Sequence, residues 1–277
     1  MENVMNEKIS LAGDLGSGKS TVSDIIIKAI GGEYYSTGAI VRSIAAKRGM
    51  SVVELNVYME THPEIDNEID DGLVQLAKID KPLIIDSRMA WHFTPGTFKV
   101  YLSTDPEISA IRIMNANRKG EHAATLEATV AETKARRESE KNRYMTQYGV
   151  NIMDLSNYDL VVDTSYATPD EVAECILSSF EKWKADKTFS LAYVSPERLN
   201  FPDDEPDEEL VGEYASSLEA GEAIPELRVA FVDGEFYAES AECALAYVVN
   251  AEGMIPCKLY SGENIDTASY VKMKNSL

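Results

Sequence analysis

The stretch from Lys8 to Thr21, KISLAGDLGSGKST, constrains the fold of this chain more than any other. Ile9-Ser10-Leu11-Ala12 is a short, mostly apolar run of the kind that forms a buried strand. It breaks into Gly13-Asp14-Leu15-Gly16-Ser17-Gly18-Lys19-Ser20, which satisfies G-x-x-x-x-G-K-[ST] without a gap. Apolar residues at helical spacing follow at Val22, Ile25, Ile26, Ala29 and Ile30, and the pattern stops at Gly31-Gly32. Strand, glycine loop and helix thus arrive in the order a phosphate cradle requires. Glycines let successive N–H groups turn inward around a polyanion, and the helix N-terminus adds partial positive charge. Lys19 is expected at the β- and γ-phosphates and the Ser20 hydroxyl on Mg²⁺, with Gly13, Gly16, Ser17, Gly18 and Thr21 in the cradle. A chance match in an ordinary βα turn does not usually bring both flanking elements with it. The implied ligand is ATP or a similar nucleotide.

The rest of the first 185 residues extends that beginning. Glu33-Tyr34-Tyr35-Ser36 reads as a short strand, and Ser36-Thr37-Gly38 leads into a helix carrying Ile40, Val41, Ile44 and Ala45 beside Arg42. Ser51 with Glu54 forms a capping box for the next helix. Pro63-Glu64 opens another, with Ile65, Ile69, Leu73 and Leu76 on one stripe. Leu83-Ile84-Ile85-Asp86 is a buried strand ending in an acid, which either orients Mg²⁺ or caps the following turn. Phe98–Leu102 and Asp159–Asp163 are further strands. Thr104-Asp105-Pro106-Glu107 and Thr168-Pro169-Asp170-Glu171 open the helices after them. Strands alternating with helices imply an α/β fold, a doubly wound parallel five-stranded sheet of the P-loop NTPase kind, with its ligand at the carboxyl ends of the strands.

Between Arg118 and Tyr148 the residues are unlike core. The run from Lys134 to Tyr144 is a charged helix in which Arg136, Glu140 and Arg143 stand at i, i+4 and i+7 on one face. Taken alone it fits a solvated helix with ion pairs or a lid that carries arginines over transferring phosphates.

At this point a resemblance can be stated. GDLGSGKST, STGAIVRSIAAKRGMS, HPEIDNEID, LIIDSR and ARRESEKNRYMTQYGVNIMDLSNYDLVVDTS together resemble the cytidylate kinase family, in its shorter archaeal-type branch, over roughly residues 7–183. The resemblance implies a nucleoside monophosphate kinase that moves a phosphoryl group from ATP·Mg²⁺ to CMP or dCMP. It favours the lid reading for about 118–148. Ser36, Gly38 and Arg42 match the segment that receives the monophosphate. Asp86 and Arg88 match the family's D-G-R, with Arg88 on the acceptor phosphate. Arg136, Glu140 and Arg143 match its lid set: the acid and one arginine on the acceptor, an arginine on the transferring phosphoryl. Lys19, Arg136 and Arg143 are the implied catalytic groups, and Ser20 with Asp86 the implied metal site. Ser87 replaces the glycine of D-G-R, Ala39 stands where many nucleotide kinases have an acid, and Asp14 is expected to put negative charge near the bound phosphates. The competing readings are a P-loop kinase of another small acceptor, with Asp86 as base, and a nucleotide-sensing protein with weak turnover.

Residues 186–192 read as a polar linker, and 193–277 as a small α+β unit. Asp207 caps a helix with Leu210, Tyr214 and Leu218. Arg228–Val232 and Glu235–Ala238 flank Asp233-Gly234, a hairpin signal. A helix over about 240–250 and a strand at Pro256–Tyr260 complete the unit. Its order resembles the ParB/sulfiredoxin-like domain, but Glu239-Ser240-Ala241-Glu242-Cys243 lacks the glycine and arginine with which that family's helix start binds phosphate. The implied role is therefore protein interaction or regulation.

Charge agrees with this division. Net charge is −21; residues 186–277 hold 19 acidic against 6 basic side chains, a net of −13, leaving −8 for 1–185. Such a balance argues against nucleic acid or an anionic membrane as partner. It leaves a protein partner for the acidic unit, or simple solubility. No long apolar run is present and MENVMNEK is too polar for a signal peptide. Cys175, Cys243 and Cys257 are widely spaced and read as reduced thiols, so a cytoplasmic protein is expected. His62, His92 and His122 are scattered and suit core or surface roles.

Overall fold

The computed structural model describes residues 7–116, 125–260, 262 and 265–272. Through the first part the elements are β1 (Lys8–Gly13), α1 (Lys19–Ile30), β2 (Glu33–Ser36), α2 (Thr37–Arg48), α3 (Val52–Met59), α4 (Glu64–Leu76), β3 (Leu83–Asp86), α5 (Ala90–Phe93), β4 (Phe98–Ser103), α6 (Pro106–Asn115), α7 (Leu126–Tyr148), β5 (Leu160–Asp163) and α8 (Pro169–Ala185). Then come β6 (Leu191–Val194), β7 (Leu199–Pro202), α9 (Glu208–Glu219), β8 (Arg228–Val232), β9 (Glu235–Ala238), α10 (Ala241–Val249), β10 (Ile255–Tyr260) and β11 (Tyr270–Lys272).

The first five strands lie in the order β2-β3-β1-β4-β5, all parallel. Every residue of β1 is buried, as expected of a central strand covered by helices on both faces. Ile9, Leu11, Val100 and Val162 pack on Val22 and Ile26 of α1 and on Ile176 and Phe180 of α8. Local signals set the helix ends. The capping boxes at Ser51 and Thr168 are both formed, Asp105 and Asp207 cap α6 and α9, and Gly31 closes α1 in the left-handed region. The parallel strand order puts the carboxyl ends of β1, β3, β4 and β5 on one edge, where the P-loop begins.

The C-terminal third does not stand apart. The joint expected over 186–192 is shorter, because Leu191 and Ala192 already belong to β6. That strand pairs in parallel with β5 and antiparallel with β10. The result is one eleven-stranded sheet, β11-β7-β9-β8-β10-β6-β5-β4-β1-β3-β2. One buried cluster joins Tyr101, Tyr158 and Val161 to Ala192, Leu199, Phe236 and Cys257. The β8–β9 hairpin turns at Asp233 and Gly234, both at positive φ (52° and 93°), the primed geometry that matches strand twist. β11, on the edge beside β7, follows no strand pattern noted in the sequence.

All three cysteines are free and buried. His62 stacks on Tyr58, and His92 lies among Trp91, Phe93 and Tyr148. His122, like Arg118 and the rest of 117–124 at the start of the expected lid, falls outside the described residues. No helix among the described residues is long and apolar enough to cross a membrane.

Candidate active site

The P-loop is built as the glycine spacing requires. At Gly13 (φ 144°) a Cβ would sit 2.3 Å from the Leu102 carbonyl oxygen, so no side chain fits between β1 and β4. Gly18 (φ 82°) is the N-cap of α1, and the first turn of that helix carries no acidic residue. Its N–H groups and partial positive charge are left to an anion. Lys19 Nζ donates to the carbonyls of Gly13 (3.1 Å) and Asp14 (2.6 Å) and to Ser17 Oγ (3.3 Å). Burial, with Arg88 nearby, lowers its pKa to about 8.

Gly16, Ser17, Gly18, Lys19, Ser20 and Thr21 all line a cavity of about 470 Å³. Gly13 does not; it lies beneath, and its carbonyl accepts from both Lys19 and Arg88. Asp14 corrects an expectation. Its carboxylate is turned away from the cavity and accepts from the Tyr101 hydroxyl (2.7 Å) and the Thr104 N–H (3.0 Å). It also pairs with Arg137 at 3.0 Å. The charge is therefore neutralised by an arginine of α7 to which the sequence reading gave no role.

The other wall comes from β2, α2, β3, α4 and α7. Ser36 caps α2 and donates to Asp86 Oδ2 at 3.3 Å, while the Tyr34 hydroxyl donates to the same oxygen at 2.7 Å. Gly38, Arg42, Asp86 and Arg88 line the cavity beside them. Arg88 Nε donates to Glu140 Oε2 at 2.8 Å, and Arg136 Nε donates to Glu140 Oε1 at 3.0 Å. Arg143 lies 2.8 Å from Asp66 and donates to Asn56 Oδ1 at 3.3 Å. Burial opposes the charge of Glu140, but Arg88, Arg136 and Arg143 outweigh it and hold the carboxyl down at about 2. The i, i+4, i+7 face of α7 thus points into the cavity, and it is not a solvated stripe.

Asp66 and Asp70, one turn apart on α4, also line this half with Asn56 and Tyr144. The sequence reading gave none of them a role, although HPEIDNEID contains both aspartates. Burial raises Asp70 to about 6, while its carboxylate accepts from Tyr148 at 2.5 Å.

The cavity therefore has two polar ends. One is backbone amides and Lys19; the other is a set of guanidinium groups fixed by buried carboxylates. Ser20 and Asp86 both face it, so oxygen donors suited to Mg²⁺ are available. No group of three or more His, Cys, Asp or Glu side chains among the described residues could form a metal cage by itself. That fits an ion held largely by phosphates and water.

These features define a P-loop phosphotransferase. The AAA domain family model matches residues 9–145. A cytidylate kinase from Thermoplasma volcanium is 36% identical over 190 residues, covering 66% of this chain and 96% of that protein. One from Archaeoglobus fulgidus is 34% identical, covering 65% and 99%. An S-adenosylmethionine-dependent nucleotide dehydratase from Lacinutrix mariniflava is 35% identical over 185 residues, but these make up 37% of its length. The chain belongs to the cytidylate kinase family. It is a nucleoside monophosphate kinase, and its family uses ATP and Mg²⁺.

Proposed function

We propose that the acceptor is CMP or dCMP. Phosphoryl transfer requires an acceptor-phosphate oxygen to attack the γ-phosphorus of ATP in line, with the bond to the bridging oxygen breaking and ADP leaving. The acceptor oxygen is already anionic, so no strong base is needed, and positioning and charge neutralisation carry the rate. Lys19 and the amides around Gly16 and Gly18 hold the donor phosphates. Arg42 and Arg88 hold the acceptor phosphate, and Arg136 and Arg143 bring positive charge to the phosphoryl in flight. Glu140 keeps Arg88 and Arg136 aligned. Ser20 and Asp86 would hold Mg²⁺, which when bound would supply charge neutralisation for the phosphates.

The observation that carries this reading is the convergence of Arg42, Arg88, Arg136 and Arg143 on the cavity that contains Lys19. Asp66 and Asp70 favour a base with an exocyclic amino group, because their carboxylates accept from N–H donors and repel a carbonyl oxygen. That chemistry separates cytosine from uracil. Residues 193–277 are, on this reading, an appended α+β unit that serves interaction or regulation. Steady-state phosphorylation of CMP, dCMP, UMP and AMP with ATP·Mg²⁺ tests the acceptor assignment. The highest kcat/KM is expected with CMP or dCMP; a preference for UMP would overturn it.

A further inference from the structure

A buried side chain of the C-terminal third packs behind the loop that lines the cavity near α1. Arg198, 1% exposed, lies in the turn Pro196–Arg198 between β6 and β7. Its Nη1 donates to Ser165 Oγ at 3.2 Å and its Nη2 to the Gly234 carbonyl at 2.7 Å. The guanidinium also lies 3.7 Å from Asp163 Oδ1. Asp163 ends β5 and is fully buried. It accepts from Ser165 Oγ at 2.6 Å and from the Ser195 N–H at 3.3 Å. A carboxylate of the parallel sheet thus takes its countercharge and one N–H bond from the segment after β6.

The loop that follows Asp163 faces the cavity with its other side. Thr164 and Ala167 line it, with Pro169 and Val172 at the start of α8. Arg112 of α6 donates to the carbonyls of Thr164 (2.7 Å) and Ser165 (3.1 Å), and Ser165 Oγ accepts from the Asp105 N–H at 2.9 Å. Ile113, Ala116, Ala167 and Val172 are apolar residues of the cavity lining, which also includes Thr21 and Val22 of α1. With phosphates at Lys19, these side chains among the described residues offer the donor's base an apolar surface.

We propose that Arg198 is a positioning residue for the donor nucleotide: it holds Asp163 and Ser165 from behind and so fixes the loop 164–167 against which the ATP base packs. The physical reason is the cost of a buried carboxylate deprived of its close countercharge, which the remaining hydrogen bonds from Ser165 and Ser195 offset only in part. The proposal rests on the kinase reading of the cavity, and it makes the C-terminal third part of the nucleotide site.

The test uses the full chain carrying Arg198→Lys or Ser165→Ala, with circular dichroism and thermal unfolding to establish the fold. Calorimetry measures binding of ATP·Mg²⁺ and of inorganic tripolyphosphate·Mg²⁺, which loads the phosphate cradle without a base. The expected result is ATP binding weakened about tenfold with tripolyphosphate binding held within about twofold, as for loss of one charge-assisted contact behind the base seat. In turnover, KM for ATP rises while kcat and the acceptor KM stay. Unchanged ATP affinity in the folded variants overturns the proposal. So does equal weakening of both ligands, which a merely structural role would produce. Should Arg198→Lys fail to fold, Ser165→Ala decides, since it removes the hydroxyl that links the guanidinium to the loop and leaves the Arg198–Asp163 charge pair in place. If the parent chain binds ATP but phosphorylates no monophosphate, the acceptor reading fails and the binding comparison still decides the role of Arg198.

Discussion

Arg88, two residues past β3, and Glu140 in the middle of α7 meet at 2.8 Å, fifty-two residues apart in the chain. Glu140 is 5% exposed and binds Arg136 with its other oxygen. One buried carboxylate therefore sets the position of two guanidinium groups that line the cavity. It also ties α7 to the segment that follows β3.

Glu140→Gln keeps the shape and removes the charge. Because the Glu140 carboxyl is held at about 2 in the folded protein, its stabilisation is present above the unfolded value near 4.5 and disappears as pH falls through about 2. The variant should lose about 3–5 kcal/mol at neutral pH, the scale for breaking a buried ion pair. The difference from the parent should shrink steadily below pH 4.5. Chemical denaturation at several pH values measures both; an equal deficit at pH 7 and pH 2.5 would contradict the assignment.

Lys19→Ala should lower kcat/KM for ATP by about 10²-fold or more, the scale of one lost transition-state donor, and leave the circular dichroism spectrum unchanged. In the parent, Lys19 titrates near 8 because of burial and Arg88. Its cation is lost as pH rises through that value, so kcat/KM for ATP should decline on the alkaline side from about pH 8. The profile of kcat/KM, which reports the free enzyme, is the one to read.

Asp14→Asn separates two views of the loop. A carboxylate aimed at the phosphates would make its neutralisation tighten ATP binding. The structure has Asp14 facing Tyr101, Thr104 and Arg137, so the variant should lose about 1–3 kcal/mol of stability with little change in KM for ATP. A marked gain in ATP affinity would show that the carboxylate reaches the ligand.

Asp70→Asn should raise the melting temperature at pH 7.5. Burial lifts the Asp70 carboxyl to about 6, so the folded chain favours its protonated form. The stability penalty of ionising it develops as pH rises from about 4 through 6. At pH 4 the two proteins should melt alike. If Asp70 accepts an amino group of the acceptor base, the same variant raises KM for CMP and leaves KM for ATP unchanged.

Much of this protein was legible in the sequence because the relevant signals are local. The glycine spacing forces the P-loop, the N-caps at Ser51, Asp105, Thr168 and Asp207 set helix starts, and Asp233-Gly234 forces the hairpin. The residues expected to bind nucleotide, apart from Gly13, all came to one cavity. A motif match names such residues without saying which contacts they make.

Pairing across the chain was decided by tertiary structure alone. Asp14 faces Arg137, Asp66 faces Arg143, and Arg198 backs Asp163, and no spacing rule connects positions so far apart. The same holds for the sheet. The composition shift near residue 186 suggested a separate unit, yet β6 offers backbone groups on both edges and joins β5 to β10. Periodicity along a chain fixes how each segment folds and which face it buries. Which charges share a cavity, and which strand edges meet, depends on how the buried faces pack.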